Sequence, residues 1–378
     1  MILLYIADEG FSINDGEYYF TRPNYINSQQ FGKYFDKIIF LARKSKYIEG
    51  SIKIPNKSEV FLFKKLDFFG LKKFLKEHKD EYDVALLRNG MNGCISVNTL
   101  RKLGKQVISY LGYDALSYKL SQRNVFSFVE GIIWYFLEKN KMSKGTYAHY
   151  CSDYLVKKYP PKVPYLVCPN VEIGTDDEIL VERKKTIIDK DKQIIVGLIG
   201  TLNSNKGIDT AIKSINLLPM NYTLEIVGGG NNEKYVKLAN KLNVQERVKF
   251  LGYFPKKEAI DEWLRKVDIY IQPSLSEGIP RSAIEAMAAA CPLIVSNKIG
   301  ASSWIDEEWH IKPRKYKELS EKILLMGSSE NIRIQQSLKN FETAKRFSPE
   351  IREEKMDYYY RFFKENMGKK DEYQKMEK

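Results

Sequence analysis

Two carboxylates, Glu277 and Glu285, stand eight residues apart in the stretch Ser274 to Ser296, which runs Ser-Leu-Ser-Glu-Gly-Ile-Pro-Arg-Ser-Ala-Ile-Glu-Ala-Met-Ala-Ala-Ala-Cys-Pro-Leu-Ile-Val-Ser. Pro280 suits the first turn of a helix, where a missing N–H costs nothing, and Pro292 cannot continue one. The spacing predicts a helix from Pro280 to Ala290 and a buried strand at Leu293-Ile294-Val295. Glu277 then lies in the loop ahead of the helix and Glu285 one turn inside it, so both can border one cavity at the helix N-terminus. Free N–H groups there attract phosphate, which a carboxylate repels. These acids are therefore expected to accept hydrogen bonds from sugar or ribose hydroxyls. A plain strand-helix-strand corner with solvated acids is the reading this stretch alone leaves open.

Three other stretches offer matching chemistry. Gly200-Thr201-Leu202-Asn203-Ser204-Asn205-Lys206-Gly207 supplies backbone N–H groups and one ammonium, a combination suited to a diphosphate. Gly228-Gly229-Gly230 allows close backbone approach, and Leu251-Gly252-Tyr253-Phe254 offers a place for a flat base to stack or bond to backbone. Each is weak alone. Placed together on the C-terminal edge of one sheet, they form a nucleotide crevice.

Such a sheet is what the second half of the chain predicts. Strands are expected at Ile194–Ile199, Thr223–Val227, Val248–Phe250 and Ile269–Gln272, separated by helices at Gly207–Leu217, Asn232–Leu242 and Lys256–Arg265. That alternation is a doubly wound α/β domain. The first half alternates too, with strands at Met1–Ala7, Lys37–Ala42, Val84–Arg88, Gln106–Leu111 and Tyr165–Cys168. Asp8 to Gly16 reads as a glycine-containing loop at the edge of the first strand, which makes Gly10 a candidate ligand contact, and a helix is expected around Pro23 to Tyr34. No GxGxxG dinucleotide fingerprint is present there. Residues 160–191 bring prolines and mixed charge and read as the linker. The expected organisation is 1–172 as a first Rossmann-like domain, 173–192 as linker, 193–348 as a second such domain, and 349–378 as a charged, tyrosine-rich helix.

The chain has 378 residues, 43% hydrophobic and 29% charged, a composition of globular proteins. Its four cysteines, Cys94, Cys151, Cys168 and Cys291, form no CxxC pair, so neither a zinc site nor a disulfide framework is indicated and a reducing cytoplasm fits. Met1–Ala7 reads as a strand and not as a signal peptide, and no apolar run is long enough to span a bilayer. Residues 1–170 hold 26 Lys and Arg against 16 Asp and Glu, a net of +10, whereas the remainder has 35 against 32, a net of +3. No nucleic-acid module accompanies this charge, which leaves an anionic membrane surface or a lysine-rich composition. Phe61 to Lys79 and Val125 to Lys144 mix aromatic residues and lysines, and read either as helices lying on lipid or as amphipathic helices covering a sheet.

The ordered set Gly200…Lys206-Gly207, Leu224-Glu225-Ile226-Val227-Gly228, Val248-Lys249-Phe250-Leu251-Gly252, Asp268 to Ser274, and Glu277-Gly278-Ile279-Pro280…Glu285-Ala286-Met287-Ala288 resembles the retaining GT-B glycosyltransferases of family GT4. The motifs cover about residues 194–300 and are jointly specific; the front half resembles the family in pattern and in Tyr165-Leu-Val-Cys-Pro-Asn170. The resemblance implies two facing Rossmann-like domains, acceptor bound by the first and nucleotide-sugar donor by the second, with the C-terminal helix crossing back to the first. It implies that Glu277 contacts the donor sugar and that Gly278, Ile279 and Pro280 present backbone to sugar and phosphate. Glu285 is implied to hold the ribose, and Lys206 to pair with the diphosphate. No metal or cofactor is called for beyond the nucleotide-sugar co-substrate, a UDP-sugar being favoured. The acceptor is a glycan or lipid-linked glycan of the cell surface, met at the cytoplasmic face of the membrane.

Three residues depart from the family pattern. Thr201 stands where Arg is common, and Ala290 stands where Gly usually ends the helix. The stretch Ser109-Tyr110-Leu111-Gly112-Tyr113-Asp114 lacks a histidine common at that point, with Asp114 or Tyr110 as the substitute. These departures support a second reading, a non-catalytic glycosyltransferase-like binding subunit of a glycosylation complex. Asp189-Lys190-Asp191 spells DxD, a metal motif in some sugar-transfer enzymes, within a lysine-rich linker that argues against that role.

Overall fold

The computed structural model describes residues 1–20, 31–47, 51–54, 58–63, 67–122, 124–169, 171, 173–188 and 193–367. The expected helix around Pro23 falls largely outside these residues, as does Asp189-Lys190-Asp191. The chain divides into two compact units, one built from 1–116, 129–170 and the chain from Glu354 onward, the other from 117–128 and 171–353.

In the first unit the strands are β1 (Ile2–Asn14), β2 (Glu17–Phe20), β3 (Lys37–Lys44), β4 (Ile52–Lys53), β5 (Ser58–Phe63), β6 (Val84–Leu87), β7 (Gln106–Leu111), β8 (Tyr147–Tyr150) and β9 (Tyr165–Val167). A parallel sheet runs β5-β3-β1-β6-β7-β8-β9, the doubly wound order with its switch point between β1 and β6. Two sequence expectations are corrected here. Asp8 to Gly16 is not simply a loop: after a register break between Ile6 and Gly10, β1 continues to Asn14 and turns back antiparallel onto β2. Phe61 to Lys79 is not one helix either, since its start belongs to β5 and only Phe68–Glu77 is α-helical. That short helix buries Leu71, Phe74 and Leu75 against the sheet, so its apolar face belongs to the core.

The core of this unit is completed by the chain's last described helix, Pro349–Asn366. Met356, Tyr359, Tyr360 and Phe363 are buried in one cluster with Tyr5, Phe31 and Phe40. Tyr34 stacks on Tyr360 at 4.4 Å between ring centroids, its hydroxyl donates to Asp357 at 2.6 Å, and the Tyr359 hydroxyl donates to the Ala148 carbonyl at 3.1 Å. The helix thus returns to the first unit, as the sequence predicts.

In the second unit the strands are β10 (Ile194–Ile199), β11 (Tyr222–Val227), β12 (Val248–Gly252), β13 (Ile269–Gln272), β14 (Leu293–Ser296) and β15 (His310–Ile311), all parallel in the order β12-β11-β10-β13-β14-β15. This is again the doubly wound order, with the switch point between β10 and β13. The helix Ile208–Ile215 shows why the pattern was readable: Ile208, Ala211, Ile212 and Ile215 repeat at helical spacing and are all buried. Within the stretch expected as linker, Glu178–Ile188 is a helix. Its Arg183 is buried and donates to the carbonyls of Val267, Leu264 and Ala289. A buried guanidinium meeting helix-end carbonyls ties this segment to the helices around it.

Candidate functional site

At the switch point of the second unit, the loops after β10 and β13 come together. Gly200 donates its N–H to the Val227 carbonyl at 2.9 Å, and Gly228 donates to the Gly252 carbonyl at 2.8 Å, so three strand ends are laced by backbone bonds. Two glycines make this approach feasible. A Cβ on Gly228 would lie 2.0 Å from the Gly200 carbonyl oxygen, and one on Gly207, at φ +68°, would lie 2.2 Å from that of Pro273. Both positions exclude any other residue without backbone movement.

The side chain of Lys206 runs beside Gly200 and its Nζ donates to Glu277 Oε2 at 2.8 Å, joining one loop to the other across the switch point. The other Glu277 oxygen accepts from Gln272 Nε2 at 2.8 Å. Gln272 is itself held: Nε2 also donates to Ser274 Oγ, while Oε1 accepts from the hydroxyls of Tyr270 and Ser282. The Tyr270 hydroxyl accepts from the Ile199 N–H at 3.2 Å, which closes the network back onto β10. Burial pushes the Tyr270 hydroxyl well above its ordinary pKa, so it stays protonated and donates. Glu277 is thereby fixed in orientation by a chain of buried polar bonds. Sequence reading missed Tyr270 and Gln272 as members of this network; the signal was present, since residues i and i+2 of a strand share a face and β13 is buried along its length.

Gly278, Ile279 and Pro280 follow Glu277 and lead into the helix Arg281–Ala288, for which Pro280 is the N-cap residue. Glu285, in the second turn, borders a cavity of about 300 Å³ lined also by Thr175, Asp176, Lys257, Asp261 and Arg265. Glu277 is not part of that wall, so the two acids serve different spaces and the single shared cavity expected from their spacing is corrected. Burial raises the Glu285 pKa, Asp261 adds to the rise, and Arg281 and Lys257 oppose it. Ala290 adopts φ +53° just past the helix, the left-handed conformation that glycine tolerates and other residues resist. Thr201 is exposed, and Tyr253 presents an exposed ring beside Gly252.

The remaining two candidates lie in the first unit. Gly10 sits in β1 opposite Arg43 and borders an open cavity of about 740 Å³ with Asp8, Lys44 and Ser45. Asp114 is buried, and its carboxylate accepts from Tyr159 at 2.9 Å, from Tyr154 at 3.3 Å and from Lys158. These are bonds that hold the end of β7 to the segment 154–159. His149 lies across the ladder from Tyr110 in the neighbouring strand β8, buried, with Nε2 3.0 Å from the Cys168 carbonyl oxygen. At the switch point of this unit, Asp8 accepts from the N–H groups of Met91 and Asn92 and so caps the helix Met91–Lys102. Beside it is a cavity of about 440 Å³ lined by Arg43, Arg88, Asn89, Tyr110, Tyr113 and Trp134, with the Arg88 guanidinium 4.1 Å from the Tyr110 ring centroid.

Comparison with known proteins agrees with this arrangement. Residues 180–349 match the family model described as glycosyl transferases group 1. Over 324 residues the chain is 30% identical to Protein CapJ of Staphylococcus aureus, covering 81% of each sequence. Over 148 residues it is 32% identical to the N,N'-diacetylbacillosaminyl-diphospho-undecaprenol alpha-1,3-N-acetylgalactosaminyltransferase of Campylobacter jejuni, covering 38% of each. Among solved structures, Anabaena HepE in complex with UDP superposes with a TM-score of 0.69 at 15% identity, over 96% of this chain and all of that one (100%).

Proposed function

This chain belongs to the glycosyl transferases group 1 family, with the GT-B fold, and on that footing we propose that it moves a sugar from a nucleotide-sugar donor to a glycan or lipid-linked acceptor. A UDP-sugar is the favoured donor, the anomeric configuration is retained, and the product is a cell-surface polysaccharide made at the cytoplasmic face of an anionic membrane. The observation that carries the reading is the Lys206–Glu277 pair, 2.8 Å apart across the switch point and aimed by Gln272 at the start of the helix Arg281–Ala288. The UDP held by HepE and the polyprenyl diphosphate in the Campylobacter enzyme's name support donor and acceptor class.

In this mechanism the acceptor hydroxyl attacks the anomeric carbon on the face that the diphosphate leaves. The new C–O bond forms as the bond to phosphate oxygen breaks, and the departing diphosphate takes the hydroxyl proton. An ammonium has three donors, so the Lys206 bond to Glu277 is compatible with another to a phosphate oxygen. The helix N-terminus adds its N–H groups to the same charge. Glu277 grips a sugar hydroxyl and Glu285 the ribose, and neither is nucleophile or base. The first unit's cavity at Arg43, Arg88, Tyr110 and Trp134 takes the acceptor.

Nucleotide release from a panel of UDP- and GDP-sugars with lipid-linked acceptors tests this. Lys206→Ala is expected to lower kcat by about 10²–10³, the size of a lost charge-stabilising donor. Glu285→Ala is expected to weaken nucleotide binding by about tenfold to a hundredfold, from about 1.5–3 kcal/mol of lost hydrogen bonds to a charged acceptor. Full activity in both variants sinks the assignment. The exposed Thr201, where related proteins carry Arg, favours a second reading as a non-catalytic binding subunit. Turnover by the isolated chain rejects it.

A further inference from the structure

The helix Val125–Lys144 is set into the protein with its faces reversed. Ser127, Gly131, Glu138, Lys141 and Met142, spaced at helical intervals on one side, are the buried ones. Glu138 and Lys141 form a buried ion pair at 2.6 Å. Lys141 donates to the carbonyls of Arg88 and Tyr110, and Glu138 accepts from Asn89 and Gly90. These bonds fix the helix rotation, because turning it would strand two buried charges. The opposite side is apolar and faces water: Val125 is 77% exposed, Phe126 88%, Phe128 52%, Val129 51%, Ile133 52% and Phe136 62%. An amphipathic helix normally places its apolar stripe in the core.

We infer that this ridge is the face by which the protein docks on an anionic lipid surface, its aromatic and aliphatic side chains entering the acyl boundary and its flanking lysines meeting headgroups. Charge favours lipid over other occupants. Lys139 and Lys144 stand at the end of the ridge, and residues 1–170 carry a net +10. A second copy docking by the same face would set that positive excess against itself, whereas anionic headgroups oppose it with the complementary sign. No helix among the described residues is long and apolar enough to cross a membrane, so the contact is one of lying on the surface. The inference deepens the proposed reading by naming the surface at which a lipid-linked acceptor is met, and it rests on that reading only for its use.

Sedimentation of the full chain with phosphatidylcholine vesicles, with and without phosphatidylglycerol, at low and high salt, tests it without donor or acceptor. Binding is expected only with phosphatidylglycerol, weakened by salt, and reduced at least about tenfold in Phe126→Ser/Phe128→Ser/Ile133→Ser. Lys139→Glu/Lys144→Glu is expected to lower binding and flatten its salt dependence. Exposed positions are substituted, so an unchanged Tm in both variants is the folding control. Absence of binding at every composition, or equal binding by the triple variant, overturns the inference. So does a dimer in light scattering that the triple variant dissolves while vesicles bind neither protein, which gives the face to a second copy. Transfer to a water-soluble acceptor is read separately: its loss with vesicle binding intact counts against the transferase reading alone.

Discussion

Glu285 carries a carboxyl whose pKa burial has raised, and that has a consequence for stability. The fold prefers the protonated form. Its contribution is complete below the ordinary value of 4.5 and is lost as pH rises through the raised value. Glu285→Gln removes the ionisation while keeping the shape, so Tm of the variant is expected to exceed that of wild type at neutral pH and the two to converge on acidification. Thermal unfolding of both from about pH 4 to about pH 8 checks this, and a wild type more stable than the variant at neutral pH contradicts it. A desolvated carboxylate accepts hydroxyl hydrogen bonds strongly, so the same burial that costs stability serves a ribose. Residue identity made Glu277 and Glu285 legible in the sequence, yet their separate surroundings were not. Which wall each acid faces depends on Lys206, Gln272, Lys257 and Asp261, brought there by other elements. Asp114 was misjudged for the same reason, since its partners Tyr154, Lys158 and Tyr159 arrive from forty or more residues away.

Loops and strands are where the second unit was most readable. Its strands are apolar runs between turn residues, and prediction and structure agree there to within a residue or two at most ends. The first unit was harder. Tyr147–Tyr150 is a buried strand built as Tyr-Ala-His-Tyr, with no aliphatic run to announce it. In Phe61 to Lys79 the phenylalanines and lysines mimic a helical period, although the first three residues pair in register with β3. At this scale the loop from Gly200 to Gly207 makes a direct prediction. Gly207→Ala is expected to destabilise by at least about 2 kcal/mol, from the left-handed φ and the clash with the Pro273 carbonyl, and to abolish nucleotide binding. Urea unfolding and calorimetry with UDP measure both, and an unchanged midpoint refutes the close approach of the two loops.

For the whole molecule, the doubly wound order appears twice, and each unit places its candidate site at its own switch point. Composition and alternation were enough to predict two such domains. They did not reveal how completely the first unit depends on residues from beyond the second. Tyr360 is fully buried among Phe31, Tyr34 and Phe35, and Tyr360→Ala is expected to cost about 3–5 kcal/mol. The loss is expected in the unfolding of the first unit while UDP affinity in the second stays within about twofold at temperatures where both remain folded. Urea unfolding followed by hydrogen exchange in the two units distinguishes that outcome from a uniform loss.

Chain order gives this dependence a further meaning during synthesis. Domains ordinarily fold as they leave the ribosome, the earlier one first. Here the sequence through residue 353 contains everything the second unit needs, while the first still lacks Met356, Tyr359, Tyr360 and Phe363. The half of the protein translated first is therefore the half that matures last. A nascent chain halted before residue 354 presents a finished nucleotide-binding unit joined to an open apolar sheet, a form suited to chaperones and proteases and not to sugar transfer.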